Sequence, residues 1–161
     1  MTKTQPGPVL RAVFRAPLRL YDRGLGWLLG SRFLCLTHTG RRSGRRYRTV
    51  LEVIGSAPAS GEVMVVAGLG PGADWYRNIR ASPPLEVVVG RRRFTPRHRV
   101  LDEEEAFAVM TAYERRNRWI RPILRPLLGK LVGRPYDGSD AARRGLVSQL
   151  PIVAFGPRQE A

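Results

Sequence analysis

Apolar and polar positions along the chain fall first into short strand-length blocks and later into helical spacing. Phe33-Leu34-Cys35-Leu36 and Val50-Leu51-Glu52-Val53-Ile54 are apolar runs separated by a polar, glycine-bracketed stretch. That is the pattern of a hairpin over about 32–55. Ser56 to Gly61 reads as a loop, Glu62 to Ala67 as a buried strand, and Gly68 to Ala73 as a glycine-dense loop. Asp74 is placed to cap a short helix, Trp75 to Ala81, which Ser82-Pro83-Pro84 stops. Leu85 to Val89 and Arg91 to Val100 read as two further strands turning at Gly90. Helical spacing then takes over. Asp102 caps a helix to about Asn117, with Glu103, Glu104 and Glu105 in the first turn, where the helix dipole favours them. Pro122 and Pro126 bend or break a helical segment over Trp119–Val132. Ser139 or Asp140 opens a last helix to about Gln149. Leu150 to Phe155 is a final strand, and Pro151 suggests an edge position or a strand start.

Upstream, Pro8 to Leu29 has a helical pattern: Val9, Leu10, Val13, Phe14, Leu18 and Leu20 interleave with Arg11, Arg15, Arg19 and Arg23. Pro17 kinks or splits it. Such a basic amphipathic helix either packs on the core, the commoner outcome, or lies on an anionic membrane. The strands come in hairpin-like neighbours, which argues for an antiparallel sheet or small barrel with helices packed outside, an α+β arrangement. A single domain over 1–161 is expected, with an N-terminal amphipathic helix over 1–30 and a helical insertion over about 102–149.

Charge narrows the partners. The 161 residues carry a formal net charge of +15. That balance favours phosphates, nucleic acid or anionic lipid. One cysteine rules out an internal disulfide framework, and two histidines with one cysteine offer no zinc-ligand spacing. No apolar run is long enough to span a membrane, and no signal-peptide pattern opens the sequence, so a cytoplasmic location is the expectation.

The candidate chemistry sits in Thr37-His38-Thr39-Gly40-Arg41-Arg42-Ser43-Gly44-Arg45-Arg46-Tyr47-Arg48-Thr49. Gly40 and Gly44 permit positive φ and close approach of a ligand. Turn N–H groups and guanidinium forks suit a phosphorylated small molecule; a solvated hairpin turn explains the same residues. Gly68 to Gly72 is not a dinucleotide fingerprint, since no βαβ unit surrounds it. His38 reads as a strand-end residue, Asp102 to Glu105 as a helix start, and Arg91 to Arg93 as a solvated face.

Two blocks carry a resemblance: Leu36 to Gly44, and Asp74-Trp75-Tyr76-Arg77-Asn78-Ile79-Arg80-Ala81-Ser82-Pro83. Together they resemble the deazaflavin-dependent nitroreductase family of actinobacteria, which pairs a TTGRKSG-type turn with a WYxNLxANP-type helix. The resemblance implies a split β-barrel like that of flavin-binding oxidases. It implies binding of coenzyme F-420, an 8-hydroxy-5-deazaflavin with a phosphate and a polyglutamate tail, and hydride transfer to quinones or nitro-type electrophiles. By position, Thr39, Arg41, Arg42, Ser43 and Gly44 would meet the phosphate and tail, Gly68 and Leu69 would face the ring, and Trp75, Tyr76 and Asn78 would flank it. Trp75 and Tyr76 are the catalytic candidates. The family's usual phosphate arginine falls at Tyr47, so Arg46 or Arg48 must substitute for it or the contact is lost. Tyr113 corresponds to a substrate-lining tyrosine of the family. An FMN-binding split barrel, or a non-enzymatic binder of nucleic acid or anionic membrane, remains the alternative. No nucleic-acid motif supports the former of those binders.

Overall fold

The computed structural model describes residues 18–159. The chain is helical over 18–22 and stops in a Schellman turn. Leu25 N–H donates to Leu20 O at 2.8 Å and Gly24 N–H to Tyr21 O at 3.1 Å. Gly24 takes the left-handed φ of +68° that closes such a turn. A 3-10 turn, Gly26–Leu29, follows. The helix expected to reach Leu29 therefore ends at residue 22, and its predicted first half lies outside the described residues.

Seven strands follow the order β5-β4-β1-β2-β3-β7-β6, every pairing antiparallel. They are β1 (Phe33–Thr39), β2 (Arg46–Ala57), β3 (Glu62–Val66), β4 (Glu86–Val89), β5 (Arg92–Phe94), β6 (Pro96–Val100) and β7 (Ile152–Pro157). Helix α1 (Asp74–Ala81) lies between β3 and β4 in the chain; α2 (Glu103–Arg116), α3 (Arg121–Val132) and α4 (Asp140–Gln149) lie between β6 and β7. Strand β2 serves both halves of the sheet, and its register slips between Val53 and Gly55. That bulge bends the strand. The edge strands β5 and β6 are separated in sequence by Thr95 alone, whose carbonyl accepts from Arg158 N–H at 3.0 Å. The sheet thus rolls into a split barrel joined across its gap by the chain itself, the fold class expected.

One strand reading needs correction, and the two alternatives for Pro151 are resolved. Arg91 to Val100 is two strands, because Pro96 lacks an N–H and the chain crosses there from one end of the sheet to the other. Strand β7 is interior, between β3 and β6, so Pro151 marks a strand start and not an edge. Pro126 likewise does not break its helix: a 3-10 turn, Arg118–Ile120, leads into one continuous α3. Leu124 and Leu128, buried against the sheet, hold it despite the lost backbone bond.

Three apolar layers follow from the strand alternation. Leu34, Leu36, Val65, Val87 and Phe155 face inward and receive Trp75, Tyr76 and Ile79 of α1. Ile54, Met64, Ile152 and Ala154 face outward and carry α2, α3 and α4 through Met110, Leu124, Leu128 and Leu146. On the other outer face, Leu18, Tyr21 and Leu29 cover Cys35 and Val50. Cys35 is a buried free thiol, its pKa pushed up by burial.

Candidate functional site

The β1–β2 ladder ends at Thr39 opposite Arg46, and Gly40 to Arg45 make the turn. Gly40 N–H donates to Arg45 O and Gly44 N–H to Gly40 O, both at 2.8 Å. A Cβ on Gly40 would sit 2.5 Å from the Tyr47 ring, which lies across it. Gly44 has φ +67° and open space where a Cβ would point. Arg42, Arg45 and Arg46 are exposed and have no carboxylate partner among the described residues.

The turn is anchored to α1 by Arg41 and Asn78. Asn78 Oδ1 accepts from Arg41 N–H at 3.1 Å and from Arg41 Nη1 at 2.9 Å. Arg41 Nη2 also donates to Asp74 Oδ1 at 3.1 Å. Asp74 is the first residue of α1, so its carboxylate spends itself on Arg41 and not on the cap expected of it. Two donors on Oδ1 fix the orientation of the Asn78 amide, so Nδ2 donates to His38 Nδ1 at 3.1 Å. His38 Nε2 then carries the ring proton and donates to Thr49 Oγ1 at 3.1 Å. Asn78 is 5% exposed and His38 3%, so this relay is dry.

His38 must be neutral to accept from Asn78. Burial lowers its pKa from 6.5, opposed weakly by Asp74. The sign follows from linkage: with the folded value lowered, the unfolded chain takes up the proton first as pH falls. The His38 contribution is whole above 6.5 and drains away as pH falls through the folded value. Urea unfolding should therefore show stability falling as pH drops from 6.5 toward the lowered folded value, with a shallower fall in His38→Gln. His98, also lowered by burial, contributes the remaining slope in both proteins. Equal slopes would remove His38 from the account.

The other sequence candidates divide between two sheet faces. By alternation, His38 and Tyr47 share the inner face, while Thr39, Arg46 and Arg48 are on the outer one. Arg48 is paired with Asp22 and is not free for a phosphate. Tyr47 stacks on His38 with ring centroids 6.1 Å apart and shares a 3.1 Å hydrogen bond with Ser43. Trp75 and Tyr76 are 8% and 6% exposed, packed edge-to-face in the barrel interior, with Phe155 beside Trp75. Gly68 and Leu69 lie in the loop before α1, where Leu69 is 67% exposed. Tyr113 is buried under the helical layer and its hydroxyl donates to Glu52 at 3.1 Å, toward the end of the β1–β2 hairpin opposite the turn. By sequence His38 is a strand-end residue; in the structure it is buried. Its parity with Leu34 and Leu36 on one face was the sequence clue to its burial.

Residues 18–120 match the protein family described as F-420H(2)-dependent quinone reductase. The chain belongs to this family. As an F-420H(2)-dependent quinone reductase family member it is an oxidoreductase whose coenzyme is F-420. Helices α3 and α4 and strand β7 lie beyond the matched residues. Among solved structures the chain is similar to an F-420-H2-dependent reductase (FDR-A), at 20% identity over 77% of this chain and 93% of that one, TM-score 0.43. It is similar to a structure described as a domain-swapped dimer, at 19% identity over 86% and 98%, TM-score 0.44. A third is a pyridoxamine 5'-phosphate oxidase-related, FMN binding protein from Nostoc punctiforme, at 14% identity over 96% and 82%, TM-score 0.41. No curated protein matches the chain.

The residues fit the family's coenzyme. An anionic phosphate and tail need donors that are not already spent, and the turn presents Arg42, Arg45 and Arg46 without carboxylate partners among the described residues, beside the bare backbone of Gly44. Among the described residues no group of three or more His, Cys, Asp or Glu is placed to hold a metal ion.

Proposed function

We propose that this protein passes a hydride from reduced F-420 to a quinone or a nitro-type electrophile, in the cytoplasm at the inner face of the membrane. The observation that carries the reading is a turn whose backbone is locked to α1 through Arg41 and Asn78 while its next arginines remain unpaired. A site that is rigid and already desolvated on one side loses little entropy on binding an anion. Arg42, Ser43, Gly44 and Arg46 would hold the phosphate and tail. The coenzyme supplies the hydride when bound. Gly68 and Leu69 would meet the ring, the glycine allowing close backbone approach and the exposed leucine giving an apolar wall that excludes water. Trp75, Tyr76 and Asn78 act as positioning residues: they seat α1 in the barrel and, through Asn78, hold the turn. The acceptor's proton comes from solvent, since His38 is engaged at both ring nitrogens.

The test is calorimetric titration with F-420 and with FMN. F-420 should bind in preference. Arg42→Ala should weaken it by about 1.5–3 kcal/mol, the scale of a hydrogen bond to a charged group. Arg91→Ala, outside the turn, should cost less. Equal losses would reduce the turn to a diffuse field, and tighter FMN binding would overturn the coenzyme assignment for this site.

A further inference from the structure

We propose that the exposed face of α3 and of the 3-10 turn before it docks on an anionic lipid bilayer, lying along its surface. The N-terminal helix was the sequence's membrane candidate, but Leu18, Tyr21 and Leu29 at its described end are spent on covering Cys35 and Val50. Among the described residues, the longest run of exposed apolar side chains lies on α3 and the 3-10 turn before it. Trp119, Ile123 and Leu127, four residues apart, are 71%, 73% and 51% exposed. That spacing puts them on one side of the segment, while Leu124 and Leu128, about a quarter-turn further round the helix, pack inward. Three large side chains in a row are not the scattered exposure expected of a solvated surface.

The flanking charge selects the occupant. From Arg115 to Tyr136 there are seven Arg or Lys and no Asp or Glu. A second copy laid on this face would bring like charge against like, whereas an anionic headgroup layer complements it. Arg125, Lys130 and Arg134 also line a concavity of about 440 Å³ between the second half of α3 and the segment that follows it. A tryptophan at one end and cations along the flank are the residues that favour the membrane interface. Among the described residues no helix is long and apolar enough to cross a membrane, so the face lies on the bilayer.

Docking there has a consequence for the reductase. A Cβ on Gly68 would lie 3.8 Å from Leu131 Cδ1, so the ring-facing loop packs directly on α3. A docked α3 brings that loop to the layer that holds lipid-soluble quinones. This last step rests on the proposed function; the docking itself does not.

The experiment is co-sedimentation of the full chain with vesicles rich in phosphatidylglycerol, and with pure phosphatidylcholine vesicles. It compares wild type with the variant carrying Trp119→Ser, Ile123→Ser and Leu127→Ser together. F-420 affinity, measured in parallel without lipid, reports folding and the reductase site separately. Wild type should prefer the anionic vesicles, and the variant's partitioning should fall at least about tenfold with F-420 binding unchanged. Fluorescence lost on Trp119→Phe should be the component quenched by brominated lipid. Unchanged partitioning of the variant would overturn the proposal. So would a wild-type dimer, formed without lipid, that the variant abolishes.

Discussion

Glu114→Gln should cost about 3–5 kcal/mol of folding free energy, the loss expected when one partner of a buried ion pair is removed. Glu114 Oε1 accepts from Arg143 Nε at 3.0 Å and from the Tyr136 hydroxyl. The Arg143 and Glu114 side chains are 10% and 7% exposed. Burial, and then the bond to Glu114, hold the Tyr136 phenol above its usual pKa. The amide would leave the guanidinium with Asp140, which is 82% exposed and poorly placed to compensate it. The cluster ties α2, the segment before α4, and α4 into one layer over β2, β3 and β7. Losing it should loosen that layer while the arginine turn on β1 and β2 keeps its anchor. Chemical denaturation reads the cost, and F-420 titration of the folded variant should show near-normal affinity. A cost under about 1 kcal/mol would mean that the pair is solvated like a surface one.

Asn78→Ala should cost about 3 kcal/mol and, unlike the first change, weaken F-420 binding as well. The truncation strips the acceptor from Arg41 N–H and Nη1 and the donor from His38 Nδ1, both in a dry site. Arg41 would keep Asp74, an exposed partner, so the turn would remain tethered at one point where it now has three. Asn78→Asp separates the two roles. It keeps an acceptor for Arg41 and removes the donor to His38, so a charged His38 becomes the better partner and its pKa should rise. NMR titration of His38 reads that shift. Normal F-420 affinity in Asn78→Ala would detach the turn from α1 in the account.

What the sequence made legible was local. The hairpin, the buried β3, the caps at Asp102 and Ser139, and the start of α4 follow from period and capping chemistry, and all are in the structure. At Thr95–Pro96 the sequence shows a break, since Pro96 interrupts the run from Arg91 to Val100, but not that the chain crosses there to the far edge of the sheet, which only closure of the barrel demands. In the site, the motif residues were visible, but their division of labour was not. Asp74 looks like a helix cap until Arg41 arrives from the β1–β2 turn, 33 residues away in sequence. Arg46 and Arg48 look equivalent on one strand, and only the N-terminal segment's Asp22 distinguishes them. Trp75 looked like a wall of the site because a helix beside a glycine loop offers either face. Packing against Phe155 turned it inward.

The central claim is that this chain delivers the hydride of reduced F-420 to a quinone. Its most direct test is anaerobic mixing of the protein with reduced F-420 and menadione while the absorbance of the oxidised coenzyme is followed. Oxidation should need both protein and quinone, and Arg42→Ala should slow it most when coenzyme is scarce. A wild type that binds F-420 but oxidises none of it, with menadione, other quinones or nitro compounds, would contradict the account.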